Sequence, residues 1–299
     1  MNENVVSALC LACLGDRPTS VQRCAIGQGS YVYAVECATE RYIVRCSTTD
    51  DYSDTVFWLE QLGAAGIPVP RVIAKGSREE YHYLILNYLE GRDIGEVYHL
   101  LTAEEKRTIA VEVAAIQNKT AAVSIPDIAP DWTWAGTVTE MLDRAAQRIL
   151  LNGYFDVERV ERLRGEAEKL AGYFASVQPT SYLDDISTKN LLISGGRVSG
   201  VIDVDWIGVG DRMTFVALTN MALLNMEYDT DYVDFLLEEM QVTDAERRAF
   251  LFYTLMYCVD FMGERGMVFL DKRIEVSEAI VDRLNAIYDR LWAQWTDCC

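Results

Sequence analysis

The sequence predicts an α+β fold of two lobes, a small sheet-bearing lobe followed by a larger helical one. Three observations carry this. Short runs rich in Val, Tyr and Ile fill residues 21–87, helical periodicity dominates the rest, and the regime changes at Leu89-Glu90-Gly91. At 299 residues and 50% hydrophobic, the chain is long enough to bury a substantial core. The expected division is 1–89 and 90–299, with a ligand cleft between the two parts.

The first element is a helix, since Val5, Val6, Leu9, Cys10, Cys13 and Leu14 share one stripe. The same segment carries Glu3 and no Lys or Arg, unlike the basic start of a secretory signal. Strands follow at Val21 to Ala25, Tyr31 to Cys37 and Arg41 to Cys46, separated by Gly27-Gln28-Gly29-Ser30 and by Ala38-Thr39-Glu40. A helix over Asp51 to Ala65 aligns Trp58, Leu62 and Ala65. Gly66-Ile67-Pro68-Val69-Pro70 ends it and leads to strands at Arg71 to Ala74 and Tyr81 to Asn87.

Beyond the hinge, helices are expected over Ala103 to Thr120, Thr137 to Leu151 and Val157 to Val177, the first opened by a Thr102/Glu105 capping box. After a hairpin near residues 191–202 come helices at Thr214 to Asn225, Asp229 to Met240, Asp244 to Glu264 and Ile274 to Trp295.

Composition narrows the function. A formal charge of −19 argues against nucleic acid as a partner, because phosphate backbones require a basic face. No stretch approaches the roughly 20 uncharged apolar residues of a membrane span. Eight scattered cysteines include Cys10-x-x-Cys13, but no second pair or His cluster completes a zinc motif, so structural thiols in a reducing, cytoplasmic setting are expected. Between Arg212 and Arg247 there is no Lys or Arg, while Glu227, Asp229, Asp231, Asp234, Glu238, Glu239, Asp244 and Glu246 all fall there.

The densest chemistry lies at Leu183-Asp184-Asp185-Ile186-Ser187-Thr188-Lys189-Asn190 and Val201-Ile202-Asp203-Val204-Asp205. A tight turn through Ser194-Gly195-Gly196 brings Asp203 back beside Asn190. Asp185 is placed to accept a proton from a hydroxyl, and Asn190 and Asp203 offer oxygen ligands to Mg²⁺. Five oxygen-bearing side chains around one apolar hairpin would be costly to bury without a cation.

The N-terminal signals are looser. Gly27-x-Gly29-Ser30 suits a loop over nucleotide phosphates, though a Gly-rich turn has the same form. Arg45 offers a cation to the α and β phosphates. Its expected anchor is Asp54, on the stripe of Trp58 and Leu62, ahead of Glu60 on another face; an acid at the dipole end of a solvated helix is the alternative for Asp54. Backbone groups at Asn87 and Leu89 suit a purine, with Ile43 and Ile202 as apolar contacts to it.

Together the run Leu183-Asp184-Asp185-x-x-x-x-Asn190 and Val201-Ile202-Asp203 resembles the catalytic loop and metal motif of aminoglycoside phosphotransferase-like kinases, relatives of choline kinases. The resemblance spans about residues 22–225, taking in Arg45, Pro68-Val69-Pro70, Glu90-Gly91 and Val209-Gly210-Asp211. It implies a bilobal protein-kinase-like fold, with a five-stranded antiparallel sheet and one main helix ahead of a mostly helical lobe. By position it implies that Asp185 is the catalytic base and that Asn190 and Asp203 are the magnesium ligands. Arg45 with an acid such as Asp54 would hold phosphates, and Asn87 and Leu89 the purine of ATP or GTP. Two departures stand out: Leu183-Asp184 replaces the usual His-Gly, and Arg45 the usual lysine.

The expected activity is Mg²⁺-dependent transfer of a nucleotide γ-phosphoryl group to a hydroxyl of a small cationic acceptor, with an aminoglycoside as the first expectation. Asp184, Asp205, Glu227 and Asp231 are candidate acceptor contacts. The rivals are a metabolic kinase of the same fold (choline, homoserine, methylthio-sugar or fructosamine type), a macrolide kinase, and an inactive nucleotide-binding pseudokinase. A monomer or homodimer is expected, with no nucleic acid or membrane partner.

Overall fold

Residues 3–24, 31–123, 128–269 and 272–297 are described by a computed structural model. Helix α1 (Glu3–Leu14) precedes β1 (Ser20–Arg23), β2 (Tyr31–Glu36), β3 (Arg41–Ser47), α2 (Ser53–Ala64), β4 (Val72–Arg78) and β5 (Tyr81–Asn87). The five strands form one antiparallel sheet in the order β1-β2-β3-β5-β4. Period-two alternation sorts its side chains between two faces. Tyr33, Val35, Val44, Cys46 and Ile85 pack under Val6, Leu9 and Cys10 of α1. Leu84 and Leu86 join Trp58, Leu59 and Leu62 of α2 in the main core. Cys10 and Cys46 are therefore core residues, and burial pushes the Cys10 thiol up to about 12, far from a reactive thiolate.

The helical part runs through β6 (Arg92–Asp93), α3 (Ile94–Val97), α4 (Ala103–Thr120), α5 (Trp134–Asn152), α6 (Glu158–Ala167), α7 (Ala171–Ser176), β7 (Ser181–Tyr182), β8 (Leu191–Ser194), β9 (Arg197–Val201) and β10 (Gly208–Val209). It closes with α8 (Met213–Asn225), α9 (Asp231–Glu239), α10 (Asp244–Glu264), β11 (Val268–Phe269), β12 (Lys272–Arg273) and α11 (Glu278–Asp297). Thr102 with Glu105 and Thr243 with Glu246 form reciprocal caps that fix the starts of α4 and α10. Helix α10 packs against α5, α8 and α11 and is the central helix of this region, which explains its apolar character on most sides.

Two expected helices differ most from those observed. The run Val157 to Val177 is split into α6 and α7 by a 3₁₀ turn at Glu168–Leu170, where Glu166 accepts from both Lys169 and the Trp295 indole. The last helix begins at Glu278 rather than Ile274, because Lys272–Arg273 pair with Val268–Phe269 and Ser277 accepts a hydrogen bond from the Ile280 N–H.

The β8–β9 hairpin is tied to the sheet-bearing part at two points. The Val201 N–H donates to Pro68 O at 2.8 Å, and the Ser199 hydroxyl donates to Glu90 O at 2.6 Å. Gly91, at φ +144°, lies so close to Ser199 and Leu192 that a Cβ there has no room.

Candidate active site

Gly195 and Gly196, at φ +58° and +72°, form the two-residue turn between β8 and β9 that only a left-handed pair closes. Leu191 then faces Val201, and the Ile202 N–H donates to Asn190 O at 2.9 Å. Asn190 and Asp203 thus flank the open end of the hairpin, each with a positive φ.

The loop before β8 is held by contacts from three elements. Gln117, fully buried in α4, donates from Nε2 to Leu183 O at 2.7 Å and accepts from the Leu183 N–H at 2.9 Å. The Gly95 N–H donates to Thr188 O at 2.9 Å, an approach a side chain at position 95 would block. Asp93 accepts from the Asn190 N–H, while burial raises its pKa above the ordinary value. Sequence reasoning did not single out Gln117, Gly95 or Asp93. The paired Asp93-Ile94-Gly95 run beside the hinge was a signal; the buried amide of Gln117 left none, since its apolar helical face gave no hint of a backbone partner.

Asp185 projects from this loop. Asn190 Nδ2 donates to Asp185 O at 3.0 Å and to its Oδ2 at 3.2 Å, and Lys189 Nζ lies 2.9 Å from the same Oδ2. Asp184, Asp185, Ile202, Asp203 and the 72% exposed Trp206 line one pocket. Burial, and then the neighbouring Asp185 charge, push Asp184 up to about 7. Asp203 is also raised, by burial and by Asp205, against the opposing pull of Arg45.

The donor set fits a hard divalent cation. With its amide nitrogen turned to Asp185, Asn190 keeps its carbonyl oxygen for another partner. Asp203 accepts no hydrogen bond among the described residues, and its nearest cation, Arg45 Nη1, stands 3.7 Å away. An Asn and an Asp oxygen would suffice as the protein share of a Mg²⁺ shell, with substrate phosphates and waters supplying the rest.

The expected anchor of Arg45 is corrected by the structure. Asp54 is exposed in the first turn of α2, as is Glu60 further along it. Arg45 instead meets Asp205 with both guanidinium arms: Nη1 donates to Oδ1 at 2.7 Å and Nη2 to Oδ2. The buried Thr55 hydroxyl donates to the same Oδ1 at 2.9 Å. Helical spacing located the inward stripe of α2 correctly, but its first inward polar side chain is Thr55, one residue beyond Asp54. Burial works against the Arg45 charge, yet Asp205 outweighs it and holds the guanidinium above its ordinary value.

Other sequence candidates scatter. Asp205 is committed to Arg45 and Thr55, which removes it from the acceptor contacts. Glu227 pairs with Arg283 at 3.1 Å and Asp231 is exposed in the first turn of α9; neither lines the pocket around Asp185. The neighbouring Asp229 and Glu238 bind Lys106 and Arg107. The Asn87 N–H is taken by Arg71 O at 3.2 Å, while the Leu89 N–H and C=O make no hydrogen bond among the described residues. Ile43 on β3 and Ile202 are half-buried. Gly27, Gly29 and Ser30 lie outside the described residues.

Acidic groups missed in the sequence lie on α10. Asp260 and Glu264 are largely buried, both raised by burial, and sit among Arg144, Arg148 and Arg265. Tyr257 on the same helix is within electrostatic reach of Asp184 and Asp260, and Glu264 of Lys189.

A carboxylate oriented beside a cation-ready Asn and Asp, below a five-stranded antiparallel sheet, defines a small-molecule phosphotransferase acting on hydroxyl groups. The chain belongs to the phosphotransferase enzyme family, whose sequence profile matches residues 20–250. It is 27% identical over 222 residues to an aminoglycoside 3'-phosphotransferase of Streptomyces fradiae, covering 69% of this chain and 78% of that protein. In fold it is similar to a thermostable mutant of aminoglycoside phosphotransferase APH(4)-Ia crystallised with AMP-PNP and hygromycin B. That match has a TM-score of 0.65 at 18% identity, over 96% of this chain and 99% of the other. A putative fructosamine-3-kinase from Haemophilus somnus gives a TM-score of 0.64 at 14% identity, over 96% of each chain.

Proposed function

We propose that this enzyme transfers the γ-phosphoryl group of ATP or GTP, with Mg²⁺, to a hydroxyl of an aminoglycoside. The observation that carries the reading is the Asp185 carboxylate, steered by Asn190 and Lys189 toward a pocket it shares with Asp203. Asp185 would accept the hydroxyl proton as the acceptor oxygen attacks in line. Asn190 Oδ1 and Asp203 would hold Mg²⁺, which when bound neutralises charge on the triphosphate. Arg45 would face the α and β phosphates, and the Leu89 backbone the purine. Positioning and fixed charge would supply most of the acceleration.

The acceptor assignment is supported by two residues that line the pocket. Asp184 offers carboxyl oxygens to an ammonium or hydroxyl group, and the exposed Trp206 indole offers a flat face to a sugar ring or a cation. The Streptomyces fradiae relative, named for the same class of acceptor, points the same way.

The test is a purified-protein assay with Mg·ATP and Mg·GTP across aminoglycosides, choline, homoserine and a glycated amine, read as phosphorylated product. Aminoglycoside turnover is expected, lost by about 100- to 10,000-fold in Asp185→Asn. Turnover confined to another acceptor would replace the substrate, and none on any acceptor would remove the reading.

A further inference from the structure

We propose that Asp205, working with Thr55, is the residue that positions Arg45 for the phosphates of the nucleotide, and that it does so as a clasp between the sheet and the metal-motif segment. The inference rests on the phosphotransferase reading of the site and adds a residue role to it.

The geometry is specific. Arg45 lies on β3 and Thr55 on α2, whereas Asp205 follows Asp203 by two residues at the end of the hairpin. Both Asp205 oxygens accept from Arg45, one arm each, and Oδ1 accepts a second bond from Thr55 Oγ1. Such a fork-to-fork contact fixes the plane of a guanidinium as well as its place. The Arg45 side chain is only 12% exposed, and its charge lies 5.4 Å from the centre of the Tyr52 ring, so the cation has little freedom to choose another orientation.

The competing roles for Asp205 are disfavoured by the same contacts. An acceptor ammonium would compete with Arg45 and Thr55 at Oδ1 and with Arg45 at Oδ2. A metal ion would face the same competition, while Asp203 remains without a hydrogen bond among the described residues and sits 3.7 Å from Arg45. By taking both arms of Arg45, Asp205 keeps the guanidinium from closing on Asp203. The chain thereby meets the need for a paired cation without an acid on α2.

The experiment is a double-mutant cycle on nucleotide affinity, measured with a fluorescent ATP analogue and Mg²⁺ on the full chain, alongside steady-state kinetics. Asp205→Asn is expected to weaken nucleotide binding and raise the nucleotide KM by about ten-fold or more, with the acceptor KM much less affected. Thr55→Val, which keeps the shape of the side chain, is expected to act in the same direction by a few-fold and stands in if Asp205→Asn does not fold. If Asp205 acts through Arg45, Arg45→Met and the double variant bind nucleotide equally weakly. Fully additive losses, a shift in acceptor KM alone, or loss at Asp54→Asn in place of Asp205→Asn would overturn the assignment. Nucleotide binding that ignores Asp205 sinks this inference only, whereas a wild-type protein that binds no nucleotide sinks the phosphotransferase reading with it.

Discussion

Asn190 and Asp203 both occupy the left-handed backbone region, at φ 65° and 57°, on either side of the 2.9 Å hydrogen bond from the Ile202 N–H to Asn190 O. Two non-glycine residues in that region at the ends of one hairpin are strained positions kept for what their side chains hold. Backbone and ligand roles can be separated here. Asn190→Gly is expected to be about 1 kcal/mol more stable than Asn190→Ala, because only the alanine pays for the left-handed conformation. Both are expected to lose phosphotransfer and the Mg²⁺ dependence of nucleotide binding. Urea unfolding with nucleotide titration checks this; equal stabilities would show that the backbone there is relaxed.

Gln117 is expected to matter twice. Gln117→Leu leaves the buried N–H and C=O of Leu183 without partners, costing on the order of 2–4 kcal/mol. The loop that carries Asp185 loses its anchor to α4, so kcat should fall more than either KM rises. Denaturant midpoints and kinetics read the two effects separately. A variant of wild-type stability would mean that the amide clamp is dispensable.

Asp184 should make stability depend on pH. Its folded value, raised from 3.8 to about 7, means that the folded protein holds a proton that the unfolded chain releases between those limits. The contribution is therefore fully present below the unfolded value and is lost as pH rises through about 7. Asp184→Asn does not titrate, so its advantage over wild type in metal-free buffer is expected to grow from about pH 4 to pH 7, reaching on the order of a few kcal/mol, and then to level off. Thermal unfolding across that range measures it; a constant difference would contradict the buried acid.

Trp206 is expected to act on the acceptor alone. Trp206→Ala should raise the acceptor KM by about three- to thirty-fold, a contact of roughly 1–2 kcal/mol, while nucleotide KM stays near its wild-type value. Trp206→Phe should recover part of the loss. An unchanged acceptor KM would place the indole outside the acceptor path.

Much of this molecule was legible before its fold was known, and the exceptions share a cause. Helices α4 and α10 were bounded correctly because a capping threonine and a helical stripe are local signals. The hairpin was legible because Gly195-Gly196 leaves few alternatives. The partner of Arg45 was not, because Asp205 lies 160 residues further along, and one-residue differences in where α2 turns inward decide between Asp54 and Thr55. The acids after Asn225 were misjudged for a related reason. Their partners Arg283, Lys106 and Arg107 come from distant helices, so nothing local distinguished an ion-paired acid from one facing a ligand. Asp260 and Glu264 were hidden inside a helix that reads as core.

The bonds from Val201 to Pro68 and from Ser199 to Glu90 lash the ribbon bearing Asn190 and Asp203 to the chain that enters and leaves the sheet. Gly91, wedged against Ser199 and Leu192, sits beside that lashing. Glu112 of α4 grips the same ribbon, accepting from the Arg197 guanidinium and from the Val198 N–H at 2.7 Å, so the seat of the ion is moored on both sides of this corner and a swing of the sheet pulls against α4.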